Sequence, residues 1–353
     1  MNSYSPPPIP SHHSPYPAPR QRSIWPWLAG AVVLCGIGFF LLMIVGIFSA
    51  LATGIKEGAT FSARSTNFNN TVIRSGSAES IVHIDLEGVI TASPTRNGTS
   101  MVDDFHELVE AAVNDDSVKA IVIRINSPGG EVTASDRLHR IIQQADARKP
   151  VLAYLDTIAA SGGYYAACGS RHLTAHPTTF TGSIGVIMQS VKYRELFDKM
   201  GVSMETYKSG ALKDLLSGTR ETSPEEIELV NTLVQETYTR FLEIVAQNRS
   251  KSVEELRDSP LTDGRIFSGA QALAAGMVDA NGFVDDAYDH AMELADAKGA
   301  SVIRYTPRVG FFDVFTQFAS AGNSASRLEI DVSERLLPRL QSGVPLYLHA
   351  DGY

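Results

Sequence analysis

Residues 120–142 read AIVIRINSPGGEVTASDRLHRII, an apolar run, a glycine turn and an amphipathic stretch in that order. The β-branched run Ala120–Ile125 predicts a buried strand. From Val132 to Ala147 the apolar side chains recur on one face, which predicts a helix. Asn126–Gly130 joins the two elements. The stretch therefore predicts one strand-turn-helix unit of an α/β protein.

The same alternation of short β-branched runs and longer amphipathic stretches continues from residue 80 onward. Four further runs predict strands: Ile81–Ile90, Val151–Leu155, Ile184–Met188 and Ser203–Tyr207. A long helix is predicted over Pro224–Gln247, because Ser223 is a good N-cap and acidic residues fill the first turn. A shorter helix is predicted from Ser268 to Ala275. The predicted fold class is therefore α/β.

Composition excludes several functional classes. The chain has 353 residues, of which 44% are hydrophobic, so it can bury a sizeable core. Its formal net charge is -9, and an acidic body repels a phosphate backbone, which argues against nucleic-acid binding. With two cysteines, one of them Cys35 in the most apolar stretch, neither a disulfide framework nor a cysteine zinc site is expected.

A long charge gap near the N terminus predicts a membrane anchor over residues 24–53. Residues 23–55 contain no Lys, Arg, Asp or Glu. As a helix, Leu28–Leu51 would span about 36 Å, against a hydrocarbon core of about 30 Å. Arg20 and Arg22 precede the gap, which predicts a single pass with a cytoplasmic N terminus and the remaining chain across the membrane. The alternatives are a buried core helix and a signal peptide cleaved after Ala52.

The flanking segments complete the predicted organisation. Residues 1–23 are proline-rich and predict a disordered cytoplasmic tail. Residues 54–78 are rich in Gly, Ser, Thr and Asn and predict a linker. The predicted domain occupies residues 79–300. Residues 301–353 form a C-terminal extension, in which the apolar run Leu328–Leu340 is a candidate oligomer contact.

Two glycine-rich segments follow predicted strands. In Asn126–Gly130, two glycines allow close backbone approach, and the N–H groups at the helix start can bind a phosphate or a developing oxyanion. In AASGGYY, residues 159–165, small residues surround Ser161 and leave its hydroxyl accessible, which suits a nucleophile. Each segment has a plainer interpretation, a tight turn for the first and a close helix crossing with an incidental serine for the second.

A nucleophilic serine needs a base. His172 and His176 follow Ser161 closely, but no carboxylate lies between Asp156 and Glu195 to orient them. A Ser/His/Asp triad assembled from distant residues stays open. A lysine can also serve where its environment favours the neutral amine. Lys213 lies in YKSGALKDLL among small and apolar residues, although a solvated surface lysine is the alternative.

Five motifs in this order resemble the signal peptide peptidase A family of Ser-Lys peptidases, of the S49 type. They are NSPGG (126–130), AASGGYY (159–165), TGSIGV (181–186), KSGALKD (208–214) and DGRIFSGAQA (263–272) followed by GMVD (276–279). The resemblance covers about residues 80–297, and the ordered set is far more specific than any single motif.

The resemblance implies a role for each matching residue. Ser161 would be the nucleophile and Lys213 the general base, with Ser183 holding the lysine amine in place. The N–H groups of Gly130 and Gly162 would form the oxyanion hole. The implied fold is the ClpP/crotonase-type spiral of β-β-α units, and neither a metal nor an organic cofactor is needed.

The family also implies a biological setting. We expect a serine endopeptidase of the inner membrane that cleaves remnant signal peptides or other membrane-associated hydrophobic peptides. Its catalytic domain would be extracytoplasmic, and the protein would assemble as a homo-oligomeric ring. The first alternative is a catalytically inactive membrane scaffold of the same fold. The second is a crotonase-type acyl-CoA enzyme, which uses the same oxyanion geometry without a Ser-Lys pair.

Overall fold

The computed structural model of the chain describes residues 68–94 and 99–308, together with the backbone of residues 346–348. The predicted tail, the predicted anchor over residues 24–53 and most of the predicted linker lie outside these residues. So does the run Leu328–Leu340. Within the described ranges, no helix is both long enough and apolar enough to cross a membrane.

The described strands form one large sheet and one small one. Their bounds are β1 Phe68–Arg74, β2 Ser77–Glu87, β3 Val118–Ser127, β4 Gly129–Glu131, β5 Val151–Ala160, β6 His172–Ala175, β7 Phe180–Gly182, β8 Ile266–Ser268, β9 Ala280–Asn281, β10 Ala300–Pro307 and β11 Leu346–Leu348. The main path of the large sheet runs β1-β10-β2-β3-β5-β6-β9, and β4 pairs with β11. Every pair along the main path is parallel except the edge pair of β1 and β10. A mixed α/β fold with a mainly parallel sheet confirms the predicted fold class.

Helices connect the strands. Their bounds are α1 Met101–Asn114, α2 Val132–Asp146, α3 Gly162–Ala167, α4 Arg194–Met200, α5 Pro224–Arg249, α6 Val253–Arg257, α7 Gly269–Ala274 and α8 Val284–Leu294. The predicted start of α5 is confirmed, since the Ser223 hydroxyl accepts from the Glu226 N–H at 3.2 Å. The Glu226 carboxylate in turn accepts from the Ser223 N–H at 2.8 Å, which completes a capping box.

The central strands are buried on both faces. On one face, side chains such as Ile121 and Ile123 of β3 pack in a core with Leu138 of α2. On the other face, Ala120 and Val122 pack in a second core with residues of α8. Burial on both sides explains why residues 120–123 of β3 are consecutively apolar and do not alternate with polar residues.

Two predicted strands are absent from the described structure, so these predictions were wrong. Ile184–Met188 follows Gly182 and Ser183, which have φ values of +81° and +50°. Two successive residues in the left-handed region turn the chain out of the sheet, so β7 ends before this apolar run begins. Ser203–Tyr207 is solvent-exposed throughout, and a β-branched run with no sheet face to pack on does not form a strand.

The sheet extends past both predicted domain limits. β1 lies within the predicted linker, and β10 lies almost wholly within the predicted C-terminal extension. The two strands pair with each other, from Phe68↔Pro307 to Arg74↔Val302, and β10 also pairs with β2. β1 was not predicted as a strand because its composition is largely polar, which fits its position at the sheet edge, where five of its seven residues are exposed.

Candidate active site

Ser161 lies at the abrupt junction between β5 and α3. Its backbone has φ 52° and ψ -115°, an unusual conformation for a residue other than glycine, which costs roughly 1 to 3 kcal/mol. Its N–H donates to the Gly182 carbonyl at 2.8 Å, and its carbonyl accepts from the Tyr165 N–H at 2.8 Å. The strand-to-helix turn therefore holds the Ser161 side chain where β5 ends, a geometry similar to the turn that presents the nucleophilic serine in α/β-hydrolases.

The Ser161 hydroxyl is buried and unpaired. The residue is 1% exposed, and its Oγ has no hydrogen-bond partner among the described residues. Leaving a buried polar group unsatisfied costs about 1 to 3 kcal/mol, so such groups are rare in folded proteins. The small neighbouring residues predicted an accessible hydroxyl, whereas the Ser161 hydroxyl is buried. It is nevertheless free to bond to an incoming group.

Two tyrosines fix α3 in the core behind Ser161. Tyr164 and Tyr165 are fully buried. The Tyr164 hydroxyl donates to the Met277 carbonyl at 2.7 Å, and the Tyr165 hydroxyl donates to the Asp136 carboxylate. These bonds tie the helix to distant parts of the chain, so the position of Ser161 is set by the whole core.

Gly163 allows α3 to approach β3 closely, and its replacement by alanine is expected to destabilise the fold. A Cβ at this position would lie 2.8 Å from the Ser127 carbonyl oxygen. Alanine favours a helix interior by about 1 kcal/mol, but overpacking of this kind costs about 1 to 3 kcal/mol. We expect Gly163→Ala to lower the thermal unfolding midpoint. Gly210→Ala is the control, because no atom lies within 4 Å of its Cβ position; equal midpoints for the two variants would contradict the expectation.

The NSPGG turn directs one N–H group toward an open strand edge. The Gly129 N–H donates to Ser127 Oγ at 3.1 Å. The Gly129 carbonyl accepts from the Ile90 N–H, and the Glu131 N–H donates to the Ile90 carbonyl, both at 2.8 Å. Because successive residues of a strand direct their backbone groups to opposite edges, the Gly130 N–H points away from Ile90. Sequence analysis missed Ser127, whose hydroxyl accepts the hydrogen bond from the N–H of Gly129, the other glycine of the turn.

A short C-terminal strand occupies that open edge of β4. Residues 346–348 form β11, which pairs antiparallel with β4 in the register Leu346↔Glu131, Tyr347↔Gly130 and Leu348↔Gly129. β11 also contacts α2 and α3, and α3 begins just after Ser161. The edge of β4 thus accepts an extended peptide backbone beside the candidate nucleophile.

Ser183 is brought next to Ser161 by the pairing of β5 and β7. Ala160 pairs with Gly182 in a parallel register, and each serine follows directly. Ser183 is 6% exposed and has φ +50°. Its N–H donates to the Arg265 carbonyl at 2.8 Å, which explains how the DGR motif supports this turn. Ser183 also lines a cavity of about 450 Å³ with residues that include Tyr238 and Gly264.

Lys213 is not part of this assembly. Its side chain is exposed in the segment between α4 and α5. Among the described residues, no hydrogen bond or ion pair joins it to Ser161 or Ser183. It lines a separate, shallow cavity of about 520 Å³ with Ser209–Leu212 and Glu225. The chain therefore brings Gly130, Ser161, Gly162 and Ser183 together and leaves Lys213 on the surface.

The other candidate groups have structural partners. The rings of His172 and His290 contact each other at a tilt of 50° with centroids 4.2 Å apart, and His176 bonds with the Thr178 hydroxyl at 2.8 Å. Neither histidine bonds to Ser161, so the described residues form no Ser/His/Asp triad around it. Burial raises the pKa of Cys168 to about 12, which keeps this thiol protonated. Within the described ranges, no group of three or more His, Cys, Asp or Glu could hold a metal ion.

Gly162 is the first residue of α3, so its N–H has no acceptor within the helix. α3 packs against β4, so Gly162 and Gly130 belong to contacting elements, and α3 begins directly after Ser161. Two N–H donors beside a serine hydroxyl can stabilise the oxyanion that forms when the hydroxyl attacks a carbonyl carbon.

Comparison with known proteins matches the chain to one family of peptidases. The model of Peptidase family S49 matches residues 143–298. A protein of Enterococcus faecium named signal peptide peptidase SppA is 32% identical over 79% of this chain and 83% of its own length. Serine protease SPPA, chloroplastic, of Arabidopsis thaliana is 34% identical over 57% of this chain and 30% of its own length. Protease 4 of Salmonella typhi is 36% identical over 52% of this chain and 29% of its own length. The chain thus spans most of the first relative and less than a third of the other two.

Proposed function

We propose a function on the premise that this chain belongs to the signal peptide peptidase A group of peptidase family S49, whose members are serine peptidases. The protein is a serine endopeptidase in which Ser161 attacks the peptide bond and Lys213 is the general base. The observation that carries the proposal is the Ser161 hydroxyl, which is buried, unpaired and held on a strained strand-to-helix turn. A structural serine in the core would be hydrogen-bonded.

The proposed reaction has two halves. The neutral Lys213 amine takes the Ser161 proton as Oγ bonds to the peptide carbonyl carbon, and the carbonyl oxygen becomes an oxyanion. The N–H groups of Gly130 and Gly162 stabilise that oxyanion. The lysine then donates its proton to the leaving amine as the peptide C–N bond breaks. In the second half the same lysine takes a proton from a water molecule as the water oxygen bonds to the acyl carbon, and it returns that proton to Ser161 Oγ as the ester C–O bond breaks.

The base reaches the nucleophile from a neighbouring copy of the chain in this proposal. Lys213 is exposed in the segment between α4 and α5, whereas Ser161 is buried. A homo-oligomeric ring, as the family resemblance implies, would place the Lys213 of one copy over the Ser161 and Ser183 of the next. Ser183 would then hold the amine, since it adjoins Ser161 in the β5–β7 register.

The proposed substrate is an extended hydrophobic peptide, such as a signal-peptide remnant. Its backbone would pair with the edge of β4, which β11 occupies in this chain. The charge gap over residues 23–55 supports anchoring in the inner membrane, with the N terminus in the cytoplasm and the catalytic domain outside. Such an anchor would keep the site next to peptides that leave the bilayer.

The finer architecture proposed is the ClpP/crotonase-type spiral. Support comes from β5, whose first half pairs with β6 and whose second half pairs with β7. β7 pairs in turn with β8, so a second small layer branches from the end of β5, where Ser161 follows.

A fluorophosphonate probe tests the function directly. We expect the assembled wild-type protein to become labelled on Ser161, as mapped by peptide mass spectrometry. A folded, assembled protein that takes no label would favour the inactive scaffold. Turnover of an acyl thioester that persists in a Ser161→Ala variant would favour the acyl-CoA enzyme.

Truncation after residue 345 is expected to lower KM for peptide substrates. The truncation removes β11, which pairs with the strand edge that the substrate would use. Because the catalytic groups stay in place, kcat should be unchanged while KM falls several-fold. Adding the free C-terminal peptide to the truncated protein should raise KM again by competition. An unchanged KM would show that the substrate does not use the β4 edge.

A further inference from the structure

The turn that carries Lys213 is closed by an ion pair. The Lys208 ammonium donates to Asp214 Oδ1 at 2.7 Å and to the Ala211 carbonyl at 2.8 Å. Lys213 therefore lies in a short loop whose two ends are joined. The loop itself packs on little else, because residues 209–211 and Lys213 are exposed.

Arg220 ties this loop to the start of α5. Its guanidinium donates to both oxygens of Asp214, at 2.8 Å from Nε and 2.7 Å from Nη2. It also donates to both oxygens of Glu226, at 2.7 Å from Nη1 and 2.6 Å from Nη2. Glu226 has a side chain that is 1% exposed and belongs to the capping box of α5. One planar side chain thus bridges the residue next to Lys213 and a rigid helix start.

Arg220 keeps both carboxylates ionised well below neutral pH. Its hydrogen bonds lower the pKa of Glu226 to about 2 and lower the pKa of Asp214 well below the usual range of a carboxyl group. Among the described residues, the charged groups around the Lys213 turn and Arg220 include three acids and three bases, namely Asp214, Glu225, Glu226, Lys192, Lys208 and Arg220. An unbalanced carboxylate beside a lysine favours the ammonium form, which cannot accept a proton.

We propose that Arg220 is a positioning residue for the Lys213 base. It fixes the Lys213 turn on the start of α5, and its positive charge balances part of the negative charge of Asp214 and Glu226 beside that turn. The proposal rests on the proposed function, in which Lys213 is the base. Arg220 would thus act on the Lys213 turn in two ways, through the geometry of its bidentate hydrogen bonds and through its charge.

Three substitutions separate geometry from charge. Arg220→Gln removes both the charge and the fork of donors. Arg220→Lys keeps the charge but loses the bidentate geometry. The double variant Arg220→Gln/Asp214→Asn removes one positive and one negative charge, so it restores the charge balance without restoring the bridge. Arg137→Gln is the matched control, because it breaks an exposed pair with Asp103 on another part of the domain.

The experiment measures the pH dependence of Lys213 acetylation, which does not require catalytic turnover. The full-length protein is acetylated competitively with isotope-labelled acetic anhydride across a pH series, and the Lys213 peptide is quantified by mass spectrometry with Lys298 as internal reference. In Arg220→Gln we expect the labelling midpoint to move upward by about 0.5 pH units at low salt. The shift should shrink in about 1 M salt, because Lys213 is exposed.

The companion variants give distinct expected results. Arg220→Lys should keep the wild-type midpoint and hydrolyse peptides more slowly, since the loop is less well fixed. The double variant should return the midpoint to the wild-type value, and Arg137→Gln should change nothing. An unchanged midpoint in Arg220→Gln would overturn the proposal. If that variant does not fold, the acetylation midpoint of Lys213 is measured in Asp214→Asn instead. This midpoint should fall, because a carboxylate is removed while Arg220 stays.

Peptide hydrolysis on the same samples separates this proposal from the proposed function. If Lys213 is the base, the acid limb of the kcat/KM profile moves upward together with the labelling midpoint in Arg220→Gln. A labelling shift in a protein whose hydrolysis does not depend on Lys213 would refute the proposed function but not the electrostatic action of Arg220. Hydrolysis that depends on Lys213, without any labelling shift, would refute the role of Arg220 alone.

Discussion

Replacing Ser161 by alanine is expected to abolish peptide hydrolysis while leaving the stability of the protein unchanged or slightly higher. Loss of the nucleophile should lower kcat/KM by at least about 10³-fold. The stability expectation comes from the Oγ atom, which is buried and has no hydrogen-bond partner among the described residues. Removing an unsatisfied buried hydroxyl relieves a desolvation cost and breaks no bond.

Ser170→Ala is the matched control for this experiment. Ser170 is 2% exposed and lies shortly after α3, but its hydroxyl donates to the Ala167 carbonyl at 2.7 Å. Its removal should lower the free energy of unfolding by about 1 kcal/mol and leave hydrolysis by the folded protein intact. Calorimetry and a quenched-fluorescence peptide assay measure the two quantities. Hydrolysis retained by Ser161→Ala would identify a different nucleophile and end the proposal.

The sequence predicted elements well where local pattern and burial agree. The strand over Ala120–Ile125 and the helices from Val132 and Pro224 lie where apolar periodicity and capping residues put them. Ile184–Met188 has the same β-branched content as a strand, but the backbone conformation of Gly182 and Ser183 overrides it. Side-chain periodicity could not predict the positive φ values of these two successive residues, because they depend on close packing with Phe267 and Arg265.

The geometry around Ser161 depended on contacts between distant residues. The register Ala160↔Gly182 places Ser183 beside Ser161, and the pairing of residues 346–348 with β4 joins segments more than 200 residues apart. Pairings of this kind cannot be predicted from local sequence, because the sequence of one strand does not specify which other strand it pairs with or in which register. The motif order did identify Ser161, Ser183 and Gly130 as candidates, whereas Ser127 and Arg220 became visible through their hydrogen bonds.

Lys213→Ala is expected to lower kcat/KM by at least about 10³-fold, because Lys213 is the proposed base and no base contacts Ser161 among the described residues. Because Lys213 is exposed, its removal should leave the thermal unfolding midpoint unchanged. Lys119→Ala is the control, an exposed lysine on β3 that pairs with Glu79 at 3.5 Å. Wild-type turnover by the Lys213 variant would remove the lysine from the mechanism.

Mixing the two inactive variants tests whether each site is built from two copies. If Lys213 of one copy serves Ser161 of the next, randomly co-assembled Ser161→Ala and Lys213→Ala chains should regain about one quarter of wild-type activity, because one site in four receives both intact residues. If both residues come from the same chain, the mixture stays inactive.

Dilution of the wild type by a doubly substituted chain gives an independent form of the same test. With the Ser161→Ala/Lys213→Ala chain as diluent, a site shared between copies needs two wild-type neighbours, so activity falls as the square of the wild-type fraction. A site within one chain needs a single wild-type copy, so activity falls in direct proportion. The exposed position of Lys213 and the burial of Ser161 favour the quadratic dependence. A linear dependence would require the segment between α4 and α5 to fold back onto its own domain.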